Sequence, residues 1–219
     1  VAVTDVDPHA DAGLETAGAP PQAAGAVVVL LHGRGDTPAG ILRLLDEVYH
    51  RGVHYVAPAA AGRVWFPGGF AEPLTDRRRA YLDSALGQVE AALDVADDIG
   101  VPTERVVLAG FSQGAAVALE FAIRRPRRYG GVAALAGGLL GRTDELEAGP
   151  GSLSGTPAVC AVGEDDPVVA VDHVEASAAV LDAMEAAVTV ERYPGLGHAI
   201  GDGEIAALNR LLSGGVDGE

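Results

Sequence analysis

Arg105-Val106-Val107-Leu108-Ala109-Gly110-Phe111-Ser112-Gln113-Gly114-Ala115-Ala116-Val117-Ala118-Leu119 is the stretch on which the reading of the fold turns. Arg105 to Ala109 is a short β-branched apolar run, the pattern of a strand buried on both faces. A helix follows from about Ala115 to Arg124, and Pro126 forbids its continuation. Between them, Gly110 to Gly114 must turn the chain sharply. The two glycines let strand and helix approach each other, and Ser112 is pushed out at the strand's carboxyl end. The N-terminus of the helix faces the same point and favours negative charge developing there.

The same alternation extends in both directions. Ala26 to Leu31 is another continuous apolar run. Gly33-Arg34-Gly35-Asp36 breaks it, and Thr37-Pro38 opens a helix to about Tyr49. Val53 to Pro58 predicts a strand, and the loop from Ala59 to about Thr75 holds Trp65, Phe66, Pro67 and Phe70. Leu82, Leu86, Val89, Leu93 and Ala96 recur at helical spacing in a helix that Asp76 can cap and Gly100 ends. Beyond the central turn, strands are expected at Gly131 to Ala136, Ala158 to Val162 and Val188 to Tyr193. Helices are expected at Val171 to Ala187 and about Glu204 to Leu212, with a Gly-rich excursion over 138–156. Residues 1–24 read as an irregular segment, with Val1 to Val3 as a possible short strand. No linker marks a second domain, so residues 25–219 form one doubly wound α/β domain on a mostly parallel sheet.

A serine at its ordinary pKa is a poor nucleophile and needs a base. Among six histidines, His198 in Gly195-Leu196-Gly197-His198 follows the last strand and leaves the same sheet edge as Ser112. The base in turn needs a carboxylate to orient it. Gly163-Glu164-Asp165-Asp166-Pro167 follows the strand before, and Asp166 is preferred because Pro167 restricts its backbone; Asp165 is the runner-up. An oxyanion needs donors. The backbone N–H of Gln113 is one candidate, and Arg34 in the loop after the first buried strand is the other, with Gly33 second. His32 reads as a brace for that loop. Trp65 and Phe66, unusual in a chain with 5% aromatic residues, read either as a core pair or as residues bordering the substrate pocket. Cys160 lies mid-strand and reads as a small buried hydrophobe.

Composition narrows the function classes. There are 31 acidic against 15 basic residues, a net charge of −16, and every basic residue is Arg. Such a surface repels phosphate backbones, which argues against nucleic-acid binding. It suits a salt-rich cytoplasm, and a GC-rich genome is the alternative explanation. With one cysteine no internal disulfide can form, and a reducing cytosol fits. No run is long enough to span a membrane, and no secretion signal is evident. Neither metal-ligand spacing nor a phosphate-cradling loop occurs, so no cofactor or metal is expected.

Four segments together resemble the carboxylesterase/phospholipase family of α/β-hydrolases, which also contains acyl-protein thioesterases. They are LHGRGDT at 31–37, GFSQGAAVALEFA at 110–122, GEDDPVV at 163–169 and GLGHAI at 195–200. VWFP at 64–67 is similar to a substrate-side segment of the same family. The resemblance covers about Pro20 to Leu212. It implies an α/β-hydrolase fold, Ser112 as nucleophile, Asp166 as acid, His198 as base, and oxyanion amides at Arg34 and Gln113. It also implies cleavage of carboxylic esters, with acyl-thioesters or lysophospholipids as alternatives. Thioesterase members usually have an apolar residue where this chain has Arg34. That departure points to a hydrolase of short- to medium-chain esters rather than a protein deacylase. A monomer or homodimer is expected. A non-catalytic binding module on the same fold is the reading from a different class.

Overall fold

The computed structural model describes residues 7–216; the possible strand at Val1 to Val3 lies outside them. Among the described residues seven strands form one sheet: β1 (Leu14–Gly18), β2 (Ala26–Leu31), β3 (Val53–Pro58), β4 (Val106–Phe111), β5 (Gly131–Leu135), β6 (Pro157–Gly163) and β7 (Ala187–Tyr193). Their order is β1-β3-β2-β4-β5-β6-β7, and all neighbours are parallel except β1 with β3. Among the described residues the helices are α1 (Pro38–Ile41), α2 (Leu45–Val48), α3 (Asp76–Asp98), α4 (Gln113–Arg124), α5 (Val171–Ala183) and α6 (Asp202–Val216). None of them is long and apolar enough to cross a membrane.

The alternation of side chains along each central strand divides the core in two. Val27, Val29 and Leu31 of β2 pack with α3, α4 and α5 on one face. Ala26, Val28 and Leu30 face the other way, toward Ile41, Val48 and the Ala207, Leu208 and Leu212 stripe of α6. A strand covered on both sides has no polar face to alternate, hence the unbroken Ala-Val-Val-Val-Leu-Leu run. Helix α4 is the most enclosed, with every residue from Gln113 to Ala122 buried. Its small Ala115, Ala116 and Ala118 let it lie close to the sheet.

Three local readings change. Residues 14–18 are not loop: Leu-Glu-Thr-Ala-Gly is a strand with a largely exposed pattern, tied antiparallel to β3 from Leu14–Pro58 to Gly18–His54. An edge strand open to solvent needs no apolar face, so periodicity is silent there. The helix expected over 38–49 is broken into α1, a 3-10 turn at Leu42–Leu44, and α2. Pro38 starts the helix well, but Gly40 in its first turn weakens its continuation. Helix α5 ends at Ala183, before the expected Ala187, because Glu185 takes a positive φ of 64° on the way to β7.

Candidate active site

The site lies at the carboxyl ends of β4, β6 and β7, where an open parallel sheet presents its loops. Ser112 joins β4 to α4 with φ 53° and ψ −118°, a backbone that an L-residue adopts only under constraint. Such a conformation costs about 1–3 kcal/mol. Its N–H donates to the Leu135 carbonyl at 2.9 Å, and its own carbonyl accepts from Ala116 at 3.1 Å. The flanking glycines are obligatory. A Cβ on Gly110 would come within 2.3 Å of the Gly114 backbone, and one on Gly114 within 2.0 Å of the Leu31 carbonyl oxygen.

Ser112, His198 and Asp166 meet in one relay. The Ser112 hydroxyl donates to His198 Nε2 at 2.8 Å, and His198 Nδ1–H donates to Asp166 Oδ2 at 2.7 Å. The Asp166 carboxylate is fully shielded from solvent, while the His198 ring keeps a fifth of its surface open. Buried carboxylates need partners. The second oxygen of Asp166 accepts the N–H groups of Val168 at 2.7 Å and Val169 at 3.0 Å, so the loop that supplies Asp166 also orients it. Asp165 is turned to the exterior, its N–H donating to the Leu196 carbonyl. Phe111 lies against the His198 ring with centroids 5.1 Å apart. The other histidines are engaged elsewhere, His50 with Asn209, His54 with the Ala19 carbonyl and His173 with the Leu139 carbonyl. Cys160 is enclosed, and burial pushes its thiol up to about 12, which removes it as a rival nucleophile.

The two candidate oxyanion donors border the same cavity of about 590 Å³, which is lined by Arg34, Phe70, Phe111, Ser112, Gln113 and His198 among others. Gln113 opens α4, so its N–H has no acceptor within the helix. The Arg34 N–H likewise meets no acceptor among the described residues.

Trp65 and Phe66 do not line this cavity; both are wholly buried. They act from beneath. The Trp65 indole N–H donates to the His32 carbonyl at 2.8 Å, and its ring packs 5.0 Å from the His32 ring. The Gln113 side chain accepts the Trp65 N–H at 3.1 Å and donates to the Phe66 carbonyl at 2.7 Å. Gln113 thus lines the cavity while its side chain ties down the neighbouring loop. His32 donates from Nδ1 to the Gly33 carbonyl at 2.8 Å and accepts the Ala60 N–H at Nε2. Burial holds His32 below the usual imidazole value despite that backbone bond, which keeps it neutral in this role.

Several contributors carry no signal in the local sequence. His9, from the segment expected to be irregular, is wholly buried. It donates to the Trp65 carbonyl at 3.0 Å and accepts the Ala61 N–H at 3.1 Å. Arg78 of α3 is also buried, and it grips the carbonyls of Gly69, Glu72 and Pro73 from behind the cavity wall. Glu204 accepts the Gly201 N–H at 3.0 Å in the first turn of α6, a half capping box that fixes the end of the His198 loop.

Comparison with known proteins agrees with this architecture. A family profile described as phospholipase/carboxylesterase matches residues 14–214. The solved structure of a phospholipase/carboxylesterase from Dyadobacter fermentans is similar with a TM-score of 0.85 and 38% identity, over 91% of this chain and 95% of that one. A Bacillus cereus carboxylesterase shares the fold at a TM-score of 0.74 and 19% identity, over 94% and 95% of the two chains. Among curated proteins, acyl-protein thioesterase 1 of Yarrowia lipolytica is 28% identical over 206 residues, covering 85% of this chain and 90% of the relative. With its α/β-hydrolase sheet and a profile match over nearly its whole length, the chain belongs to the phospholipase/carboxylesterase family of hydrolases.

Proposed function

We propose that this protein hydrolyses carboxylic esters of short to medium acyl length through an acyl-enzyme on Ser112. The observation that carries the reading is the unbroken relay from Asp166 through His198 to the Ser112 hydroxyl, at 2.7 and 2.8 Å. His198 Nε2 takes the hydroxyl proton as Oγ attacks the ester carbonyl. The Asp166 carboxylate stabilises the imidazolium that results. Negative charge collects on the former carbonyl oxygen, where the N–H groups of Gln113 and Arg34 receive it. A single donor of this kind is worth about 10²–10³ in kcat. His198 then returns the proton to the departing alcohol. Water repeats the sequence on the acyl-Ser112 ester, and the acid leaves.

The reaction needs a ring of fixed tautomer and a hydroxyl held in its odd backbone conformation. The Asp166 loop provides the first and the Gly110–Gly114 turn the second. Hydrolysis of p-nitrophenyl esters of increasing acyl length, with the parent and Ser112→Ala compared, tests the proposal. Turnover that falls with chain length and vanishes in the variant is expected. Equal turnover by Ser112→Ala would refute the mechanism.

Thioester cleavage is the second reading, favoured by the likeness to acyl-protein thioesterase 1 over 85% of the chain. The same serine chemistry serves both, so an oxyester and its matching thioester compared at equal acyl length separate them.

A further inference from the structure

The cavity wall carries one guanidinium, that of Arg34. Among the described residues, six of the fifteen arginines pair with carboxylates within 4 Å: Arg124, Arg125, Arg127, Arg142, Arg192 and Arg210. Arg34 is one of the nine that pair with none there, and the only arginine lining the cavity that holds Ser112 and His198. Its Nη2 instead donates to the carbonyls of Gly68 and, at 3.5 Å, Phe66. That grip holds the guanidinium on the cavity wall beside Ser112 and His198. Nε–H and Nη1 meet no acceptor among the described residues, so three of its five N–H donors remain for another partner.

Behind the same segment lies Arg78, likewise bound only to carbonyls and without a carboxylate within 4 Å. Burial lowers the Arg78 guanidinium from its ordinary value and the Arg34 charge adds to that, with Glu72 and Glu120 opposing. Glu72, the one carboxylate lining the cavity among the described residues, already has its Oε1 engaged by the Gly69 N–H at 2.8 Å.

From this juxtaposition we infer that the preferred substrates are esters bearing an anionic group, a carboxylate or phosphate, which the Arg34 guanidinium receives. The inference deepens the ester-hydrolase proposal and rests on it. A planar fork of N–H donors matches such a group in two parallel bonds, and a neutral ester leaves it facing water. The Arg34 backbone belongs to the oxyanion loop, so an anion seated on its side chain is registered directly against the scissile carbonyl.

The test compares the p-nitrophenyl hemiester of glutaric acid with p-nitrophenyl valerate, a neutral ester of the same acyl length. The readout is the ratio of kcat/KM for charged over neutral ester, in which any change at the oxyanion amide cancels. The ratio is expected to fall about tenfold or more in Arg34→Met, as for loss of a charged hydrogen bond. It should be partly retained in Arg34→Lys and rise in Glu72→Gln. In the parent it should decline as NaCl is added, which needs no variant to fold. A ratio that is equal in parent and Arg34→Met, or flat with salt in the parent, overturns the inference while leaving the esterase intact. Failure of the parent to cleave either ester overturns the esterase proposal, and this inference with it.

Discussion

Glu204 offers a measurement in which the structure sets both sign and size. Its carboxyl is wholly buried in the first turn of α6. Oε2 accepts the Gly201 N–H, and Oε1 has no partner among the described residues. Burial pushes this carboxyl up from 4.5 to about 7; the Gly201 bond opposes the rise and the Asp166 charge adds to it. Between those two pH values the folded chain keeps a proton that the unfolded chain releases. The contribution of this group to stability is therefore complete below about pH 4.5 and is lost as the pH rises through 7. A rise from 4.5 to about 7, at about 1.4 kcal/mol per pH unit, amounts to about 3 kcal/mol. Glu204→Gln keeps an acceptor for the Gly201 N–H and cannot ionise. Urea unfolding of parent and variant at pH 5 and pH 8 gives the comparison. The parent should lose more stability than the variant over this interval, by up to about 3 kcal/mol. Parallel losses in the two proteins would refute the argument that this carboxyl is driven neutral by its surroundings.

Four further outcomes follow from the geometry. Ser112→Gly should abolish turnover as Ser112→Ala does, yet be the more stable of the two by about 1 kcal/mol, because glycine accepts φ 53° without strain; calorimetry decides. Asp166→Asn should keep the fold and lower kcat about 10⁴-fold, since an amide no longer holds His198 in the productive tautomer; steady-state rates with a model ester check this. Gly114→Ala places a methyl 2.0 Å from the Leu31 carbonyl oxygen and should cost about 3 kcal/mol in a denaturant titration. His9 and His32 are both held below 6.5, chiefly by burial, so the stability they confer at neutral pH is lost as the pH falls below about 6.5; thermal melts should show His9→Gln with a shallower acid slope than the parent.

The elbow and the relay were legible because their chemistry demands particular residue types at particular element ends. A serine between two glycines after a buried strand has few other uses, and Asp166 and His198 close the last two strand-to-helix connections in order. The aromatic pair was not legible in the same way. Trp65 and Phe66 would look identical in sequence whether they faced the cavity or supported it. The choice is made by His32 and Gln113, which lie 33 and 48 residues from Trp65. Glu204 is one acidic residue among 31, and only the packing of α6 on the sheet distinguishes it. Strand β1 escaped because an exposed edge needs neither apolar alternation nor β-branched residues.

The bonds of His9 give the beginning of the chain an unexpected standing. The sheet could be closed from β1 onward without it, and a boundary drawn at residue 25 on composition would discard both. Yet His9 holds the Trp65 carbonyl, Trp65 holds the His32 carbonyl, and His32 carries the loop of Arg34. Removing the residues before Leu14 would take away the first of these three links. The loop of Arg34 is thus braced, through Trp65 and His32, by a residue that precedes β1.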